Sequence, residues 1–502
     1  MTRLSSIHLC SLVDLDRSSS TPLYQQLCGD LRRAITDGTL APGTRLPSTR
    51  ALTDSLDISR NTAASAFNQL RSEGYLHRRV GSGTYVADDL PEQHTQVEPP
   101  EAEFSPAPGR PDTRGRPALS DGAQAAMREA PTMMRDPTTQ AAFRPGVPAL
   151  DAFPIETWST LASRRWRSLP AEQLVYGDPA GYPPLRDALA AYLRTARGVR
   201  CDAEQVFIVG GVQQACTLAA RVLLNPGDAV YVEDPGFPRI RMAYESVGAR
   251  SVPVPVDEDG LDLSAAPEGP VPRMASITPS HQYPLGMTMT LSRREELLEW
   301  AVENDVWILE DDYDSEFRYS GQPIAALQGF RNAGRVLYTG TFSKVLFPAL
   351  RLGYLVVPPD LVEPFAKMRA LSDRCPPRVA QMILTDFITE GHFEQHIRQM
   401  RTLYAARQRA LLDAIDTHLA DFIDIRPDDA GLHLVGWLPD GVDDREVSAH
   451  LEEHDIVALP LSFYSERPLQ RGGLLLGYAG VPEDEIGDEV RRMAEILTPF
   501  RT

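Results

Sequence analysis

A two-part chain of α/β class is what the sequence predicts, and three features predict it. Residues 91–119, "PEQHTQVEPPEAEFSPAPGRPDTRGRPAL", are rich in proline and polar residues and carry neither helical nor strand periodicity. Such a stretch cannot bury a core and reads as a tether. Ahead of it lie short amphipathic helices and a strand ribbon. Beyond it, from about residue 140, short apolar runs such as "QVFIVGG", "DAVYVEDPG" and "RVLYTGT" alternate with amphipathic helices, the pattern of a mainly parallel sheet covered by helices. The units so defined are 15–88, a linker over 89–125, and 126–502.

Composition narrows the function classes. Of the 502 residues 42% are hydrophobic and 24% charged, as in a globular protein, and no apolar run approaches a membrane span. The start, "MTRLSSIHLCSLVDLD", lacks the uninterrupted apolar core of a secretion signal, which places the protein in the cytoplasm. Five cysteines lie far apart, with no ligand spacing for zinc, so reduced thiols and no metal are expected. The net charge of -19 argues against nucleic acid only if it is evenly spread. Residues 22–86 hold eight arginines against five acids, so a DNA-binding face remains open there.

In the small unit, Leu23, Leu27, Leu31 and Ile35 form one helical stripe, stopped by Gly38 and Pro42-Gly43. Ser48 can cap a short helix through Leu56, Asp57-Ile58 make the turn, and Ser59 caps a second helix to about Glu73. "YLHRRVGSGTYV" then reads as a two-stranded ribbon tipped by Gly81-Ser82-Gly83. Two helices about a tight turn and a ribbon make a winged helix-turn-helix. Ser59, Arg60, Asn61 and Thr62 suit base edges in a major groove. Ser48 stands at the start of the preceding helix, and Arg50, Arg78, Arg79, Ser82 and Thr84 suit phosphates. With "LPSTRAL", "SRNT" and "GSGTYV", residues 20–88 resemble the DNA-binding domain of GntR-type regulators.

In the large unit the telling residue is a lysine. Among fifty basic residues only Lys344 and Lys367 are lysines. A guanidinium stays protonated, whereas an amine can lose its proton and condense with an aldehyde. The strand ending "WILEDDYDSEF" brings Asp311, Asp312 and Tyr313 to the sheet edge. Pyridoxal phosphate (PLP) needs a lysine for its Schiff base, a carboxylate at its ring nitrogen and donors for its phenolic oxygen and phosphate. Lys344, Asp311 and Tyr313 fit the first three needs. For the phosphate, Gly211, Val212 and Gln213 offer a helix N-terminus, Thr341 and Ser343 hydroxyls, and Arg351 a charged clamp.

The stretch "GTFSKVLFPALRLGY" with "EDDYDSEF" resembles fold-type I aminotransferases as they occur in MocR-type regulators, which join a GntR-type domain to an aminotransferase-like domain. The resemblance spans nearly the whole chain. It implies an internal aldimine at Lys344, with Asp311 at the ring nitrogen and Tyr313 at the phenolic oxygen. It further implies Phe237 stacked on the ring, Arg239 near an effector pocket, and Tyr176 reaching the phosphate of a partner subunit in a homodimer. Two positions depart from the pattern. Tyr283 replaces an asparagine before Pro-x-Gly, with His281 or Gln282 as substitutes. Leu475 stands where enzymes use an arginine for the substrate carboxylate, with Arg471 nearby. The expected function is PLP-dependent transcriptional regulation of vitamin B6 or amino-acid and amine metabolism, through double-stranded operator DNA with two half-sites and PLP or an amine as signal. A working aminotransferase with an accessory DNA-binding domain is the alternative.

Overall fold

The computed structural model describes residues 9, 12–17, 19, 21–79, 83–88, 119, 120, 123, 124, 141–320 and 324–501. Two compact units result, 1–116 and 117–502. The tether expected over 89–125 lies outside the described residues except at 119, 120, 123 and 124, and Ser82 lies outside them as well.

The small unit holds helices α1 (Leu23–Thr36), α2 (Thr49–Leu56) and α3 (Arg60–Ser72), then strands β1 (Leu76–Arg79) and β2 (Gly83–Val86). The two caps form as the sequence predicts: Ser48 accepts from Ala51 N–H and Ser59 from Thr62 N–H. Asp57 turns the chain between α2 and α3 with φ +50°, a left-handed conformation that aspartate tolerates better than most residues. Leu27, Leu31, Ile35, Leu52, Ala63, Phe67 and Leu70 close one small core. The wing is antiparallel, pairing Arg78 with Thr84 and Arg79 with Gly83.

The large unit is built on an eight-stranded mixed sheet. Its strands are β3 (Val206–Val209), β4 (Ala229–Asp234), β5 (Arg250–Asp257), β6 (Gly260–Leu261), β7 (Met274–Ile277), β8 (Trp307–Asp312), β9 (Val336–Thr341) and β10 (Gly353–Val356). They run in the order β3-β10-β9-β8-β7-β4-β5-β6, with β9, β8, β7, β4 and β5 parallel and β10 antiparallel to both its neighbours. Both faces are covered, which explains why the strands read as continuous apolar runs. Leu309, Leu337 and Val232 pack under α4 (Val212–Leu223) and α5 (Pro238–Glu245), while Ile308, Val336 and Ala275 pack on the opposite face under α6 (Leu291–Glu303). A second, four-stranded antiparallel sheet follows, formed by β11 (Asp424–Ile425), β12 (His433–Trp437), β13 (Leu459–Pro460) and β14 (Gly473–Gly477). Among the described residues no helix is long and apolar enough to cross a membrane, and no cluster of His, Cys, Asp and Glu is placed to hold a metal.

Candidate functional site

Lys344 sits one turn past the end of β9, on the four-residue helix Phe342–Val345, whose cap is Thr341 accepting from Ser343 N–H. Its Nζ donates to the Gly146 carbonyl at 2.6 Å. Gly146 has φ +75°, and a side chain there would run into the lysine tip. Burial lowers the Lys344 pKa to about 8 and the Arg239 guanidinium adds to this, against the pull of Asp314 and Asp311. The amine is therefore partly neutral near physiological pH, as a nucleophile must be.

Strand alternation separates the two aspartates at the end of β8. Asp311 shares the face of Leu309 and turns toward α4, whereas Asp312 turns to the other face. Asp312 is engaged there by Arg197 at 2.8 Å and by the Tyr338 hydroxyl at 2.6 Å, a buried structural cluster. Asp311 is 5% exposed, and its Oδ1 has no hydrogen-bond partner among the described residues. Burial, with Asp312 and Asp314 adding like charge, pushes its carboxyl well above the ordinary range. A buried carboxylate without a partner is costly unless a cation completes it.

Tyr313 follows, its hydroxyl 2.8 Å from His281 Nδ1. Of the two candidate substitutes for the missing asparagine, one meets Tyr313. The Gln282 amide donates to Pro235 and Tyr283 carbonyls at 2.9 Å and accepts from Leu285 N–H, so it holds its own loop. His281 is the one that meets Tyr313. Tyr283 is an aromatic hub, its ring 5.3–5.5 Å from Phe237, Tyr313, His433 and Tyr464 and its hydroxyl donating to Tyr464.

At the other end, Gly211 opens α4 with φ +117° and no side-chain cap, leaving the first N–H groups of the helix, including those of Val212 and Gln213, to another acceptor. Gly353 packs so closely that a Cβ on it would stand 3.1 Å from the Gly211 Cα. Arg351, itself left-handed at φ +51°, brings a guanidinium nitrogen to within 3.9 Å of where a Cβ of Gly211 would be. Among the described residues the buried Ser343 hydroxyl has no hydrogen-bond partner. Gln213 Nε2 donates to the Arg239 carbonyl, tying α4 to α5, at whose start Phe237 stands.

Two predicted positions, Tyr176 and Arg471, are not gathered here. Tyr176 is 70% exposed, with the Arg374 guanidinium 3.7 Å from its ring centroid. Arg471 is engaged by Asp424 and by the Leu438 and Trp437 carbonyls at the edge of the four-stranded sheet. Leu475 is fully buried opposite Val435, on the β12–β14 face that carries His433. Sequence reasoning missed Gly146, Asp314, Asp428, His433 and Tyr464. Only Asp314 had a signal, in the "DDYDS" run itself.

On the small unit, Arg60 and Asn61 are exposed at the start of α3, while Ser59 and Thr62 share a hydroxyl contact of 2.8 Å. Ser65 and Asn68 extend the same exposed face and were missed. Arg50 and Arg78 are exposed, and Arg79 lies over the Tyr85 ring with Asp88 3.8 Å away. Arg45 was also missed. It pairs with Tyr85 as a third rung beside the wing, with its guanidinium against Gly83.

Residues 154–491 match the family "Aminotransferase class I and II", and residues 23–86 match "Bacterial regulatory proteins, gntR family". The chain is 40% identical to the probable rhizopine catabolism regulatory protein MocR of Rhizobium meliloti, over 93% of this chain and 92% of that one. It belongs to the MocR-type regulators. It is also 30% identical to the pyridoxine biosynthesis transcriptional regulator PdxR of Corynebacterium glutamicum, over 94% and 96% of the two chains. Among solved structures, the α-aminoadipate aminotransferase LysN of Thermus thermophilus, complexed with N-(5'-phosphopyridoxyl)-L-leucine, superposes with a TM-score of 0.68. That match has 29% identity over 76% of this chain and 99% of that one.

The fold class is thus the expected one, a GntR-type winged helix-turn-helix joined to a fold-type I aminotransferase-like domain. The donor set of this MocR-type regulator fits PLP on its own chemistry. The unpartnered Asp311 oxygen suits a protonated ring nitrogen, and the uncapped α4 with Arg351 and Ser343 suits a phosphate.

Proposed function

We propose that this regulator binds operator DNA under the control of PLP held on Lys344, in vitamin B6 or amino-acid and amine metabolism. When bound, PLP supplies an aldehyde that condenses with amines and a protonated ring that withdraws electrons. The residues do the rest: Asp311 holds the ring nitrogen protonated, and Tyr313 faces the phenolic oxygen. The Gly211–Gln213 backbone with Thr341, Ser343 and Arg351 takes the phosphate, Phe237 lies against the ring, and Arg239 serves an incoming effector. The observation that carries this reading is the buried Asp311, with its Oδ1 unpartnered among the described residues, in one domain with a Lys344 whose pKa burial lowers to about 8. Borohydride treatment of the PLP-loaded protein, followed by peptide mass analysis, tests it. The label is expected on Lys344, and its absence would sink the reading.

A homodimer is part of the proposal. Leu174, Val175 and Tyr176 are 64–70% exposed in one run, an apolar surface that supports a second copy with Tyr176 reaching into it. Two recognition helices then meet two half-sites on one operator. The protein acts where its DNA is, in the cytoplasm, with the 89–125 segment as tether between units. The second reading, an active aminotransferase, is favoured by the retained Lys344, Asp311 and Tyr313. Leu475, standing where the enzymes use an arginine, weighs against it, because a buried substrate carboxylate would lack that partner. The same replacement favours PLP itself, or an amine without that carboxylate, as the signal.

A further inference from the structure

The cluster around His281 carries an inference that rests on the PLP reading of the Lys344 site. His281 is 2% exposed, and a carboxylate faces each ring nitrogen: Asp314 Oδ2 at 3.0 Å from Nδ1 and Asp428 Oδ2 at 3.3 Å from Nε2. An ionised carboxylate can only accept, so each nitrogen facing one carries a proton. Nδ1 also meets the Tyr313 hydroxyl at 2.8 Å. A single lone pair on Nδ1 could serve only one of these two neighbours as donor, whereas one N–H can be shared between two acceptors. Burial opposes charge on the ring, yet Asp314 and Asp428 raise its pKa to about 10. Burial pushes the Asp314 carboxyl up against the pull of His281. Asp428 is held below the ordinary range by His281, although its own burial works the other way.

The surroundings are fitted to this ring. His433, 5.5 Å away between ring centroids, is kept neutral by burial and by the His281 charge, its pKa lowered to about 3, and its Nε2 lies 3.1 Å from the Pro284 carbonyl. Gly431 (φ +96°) and Gly286 (φ +91°) leave room for the His281 ring and the Asp428 carboxylate, which a Cβ at either position would overlap. Asp314 and Tyr313 follow β8 in the large sheet, and Asp428 lies between β11 and β12 of the small one, so the ring is held from both sheets.

We propose that His281 is a positioning residue: clamped as an imidazolium between Asp314 and Asp428, it donates through Nδ1 to the Tyr313 oxygen and thereby turns the Tyr313 proton toward the ligand on Lys344. With Nδ1 bare the bond would reverse, and Tyr313 would spend its proton on the ring. This also accounts for the lost asparagine at position 283, since the tyrosine becomes an oriented donor without it.

Histidine-selective nitrogen NMR of the cofactor-free protein near neutral pH tests the proton positions, with a His281→Gln spectrum assigning the signal. Both ring nitrogens of His281 protonated is the expected result, and one bare nitrogen overturns the assignment. Should that variant fold poorly, Asp428→Asn assigns the same signal by displacing it. In the PLP-loaded protein, His281→Gln is expected to raise the pH midpoint of the visible absorbance by about one unit, because a cation and a hydrogen-bond donor are both removed from the site. In a Tyr313→Phe background that shift is expected to fall by more than half. An undiminished shift overturns the route through Tyr313. Failure of PLP to attach to wild type would instead overturn the cofactor reading, leaving the NMR result to decide His281.

Discussion

The two helix N-termini that we propose meet phosphate-bearing partners in this regulator are built in opposite ways. At α3, the cap is local: Ser59 bonds its own helix, and the exposed Arg60 and Asn61 project beyond it. At α4, no side chain caps the helix, Gly211 holds a left-handed conformation, and Arg351 and Ser343 arrive from more than 130 residues away. Both present the positive end of a helix dipole, and α4 in addition leaves its first N–H groups without a side-chain cap. The first reads a partner with side chains on a self-sufficient helix, whereas the second exists only once the sheet has brought three segments together. Mutations should therefore separate the two ends cleanly.

The largest effect is expected from Lys344→Ala: covalently fixed PLP is lost entirely, read by absorbance and mass, while cofactor-free DNA affinity stays at the wild-type value. Loss of DNA affinity as well would break the separation. Asp311→Asn comes next. Removing a charge-assisted hydrogen bond costs about 1.5–3 kcal/mol, or roughly 10- to 150-fold in PLP affinity by equilibrium dialysis. The same variant should melt higher than wild type when cofactor-free. Its folded pKa is raised, so the wild type loses stability as pH climbs above the ordinary aspartate value, and the variant escapes that loss. Equal melting curves at neutral pH would count against the buried-charge account.

At the DNA end, Asn61→Ala is expected to cost about 1–3 kcal/mol in discrimination between operator and altered operator, with PLP binding unchanged. Gly211→Ala does the reverse. Its φ of +117° suits glycine alone, so strain of about 1–3 kcal/mol should weaken PLP binding and leave the operator untouched. The smallest effect sharpens the comparison through pH. With Lys344 titrating at about 8, PLP uptake by the cofactor-free protein should speed up about tenfold from pH 7 to 9 and then level off, as the neutral amine fraction saturates. A rate still climbing above pH 10 would mean an unshifted lysine.

What the sequence disclosed follows the same division. The helix-turn-helix was legible almost to the residue because its caps at Ser48 and Ser59 and its turn at Asp57 are local signals. Lys344 stood out because arginine is used almost everywhere else. Asp311 and Asp312, however, are adjacent in sequence, and only the alternation of a strand buried on both faces sends one toward α4 and the other to Arg197, 115 residues away. His281 and Gln282 were equally eligible until the backbone of their loop claimed the glutamine. Asp428 carries no signal, because its partner lies 147 residues earlier. Arg471 lies just before β14 and is bonded to the Leu438 and Trp437 carbonyls, more than thirty residues earlier, a placement that no local signal carries.

The central claim is that PLP on Lys344 controls DNA binding. Fluorescence anisotropy with DNA from upstream of the protein's own gene, at fixed salt, with and without PLP and with Lys344→Ala beside wild type, tests it most directly. A change in affinity or stoichiometry with PLP in the wild type, absent from the variant, is the predicted result. Operator binding indifferent to PLP, or the same response in Lys344→Ala, would contradict it.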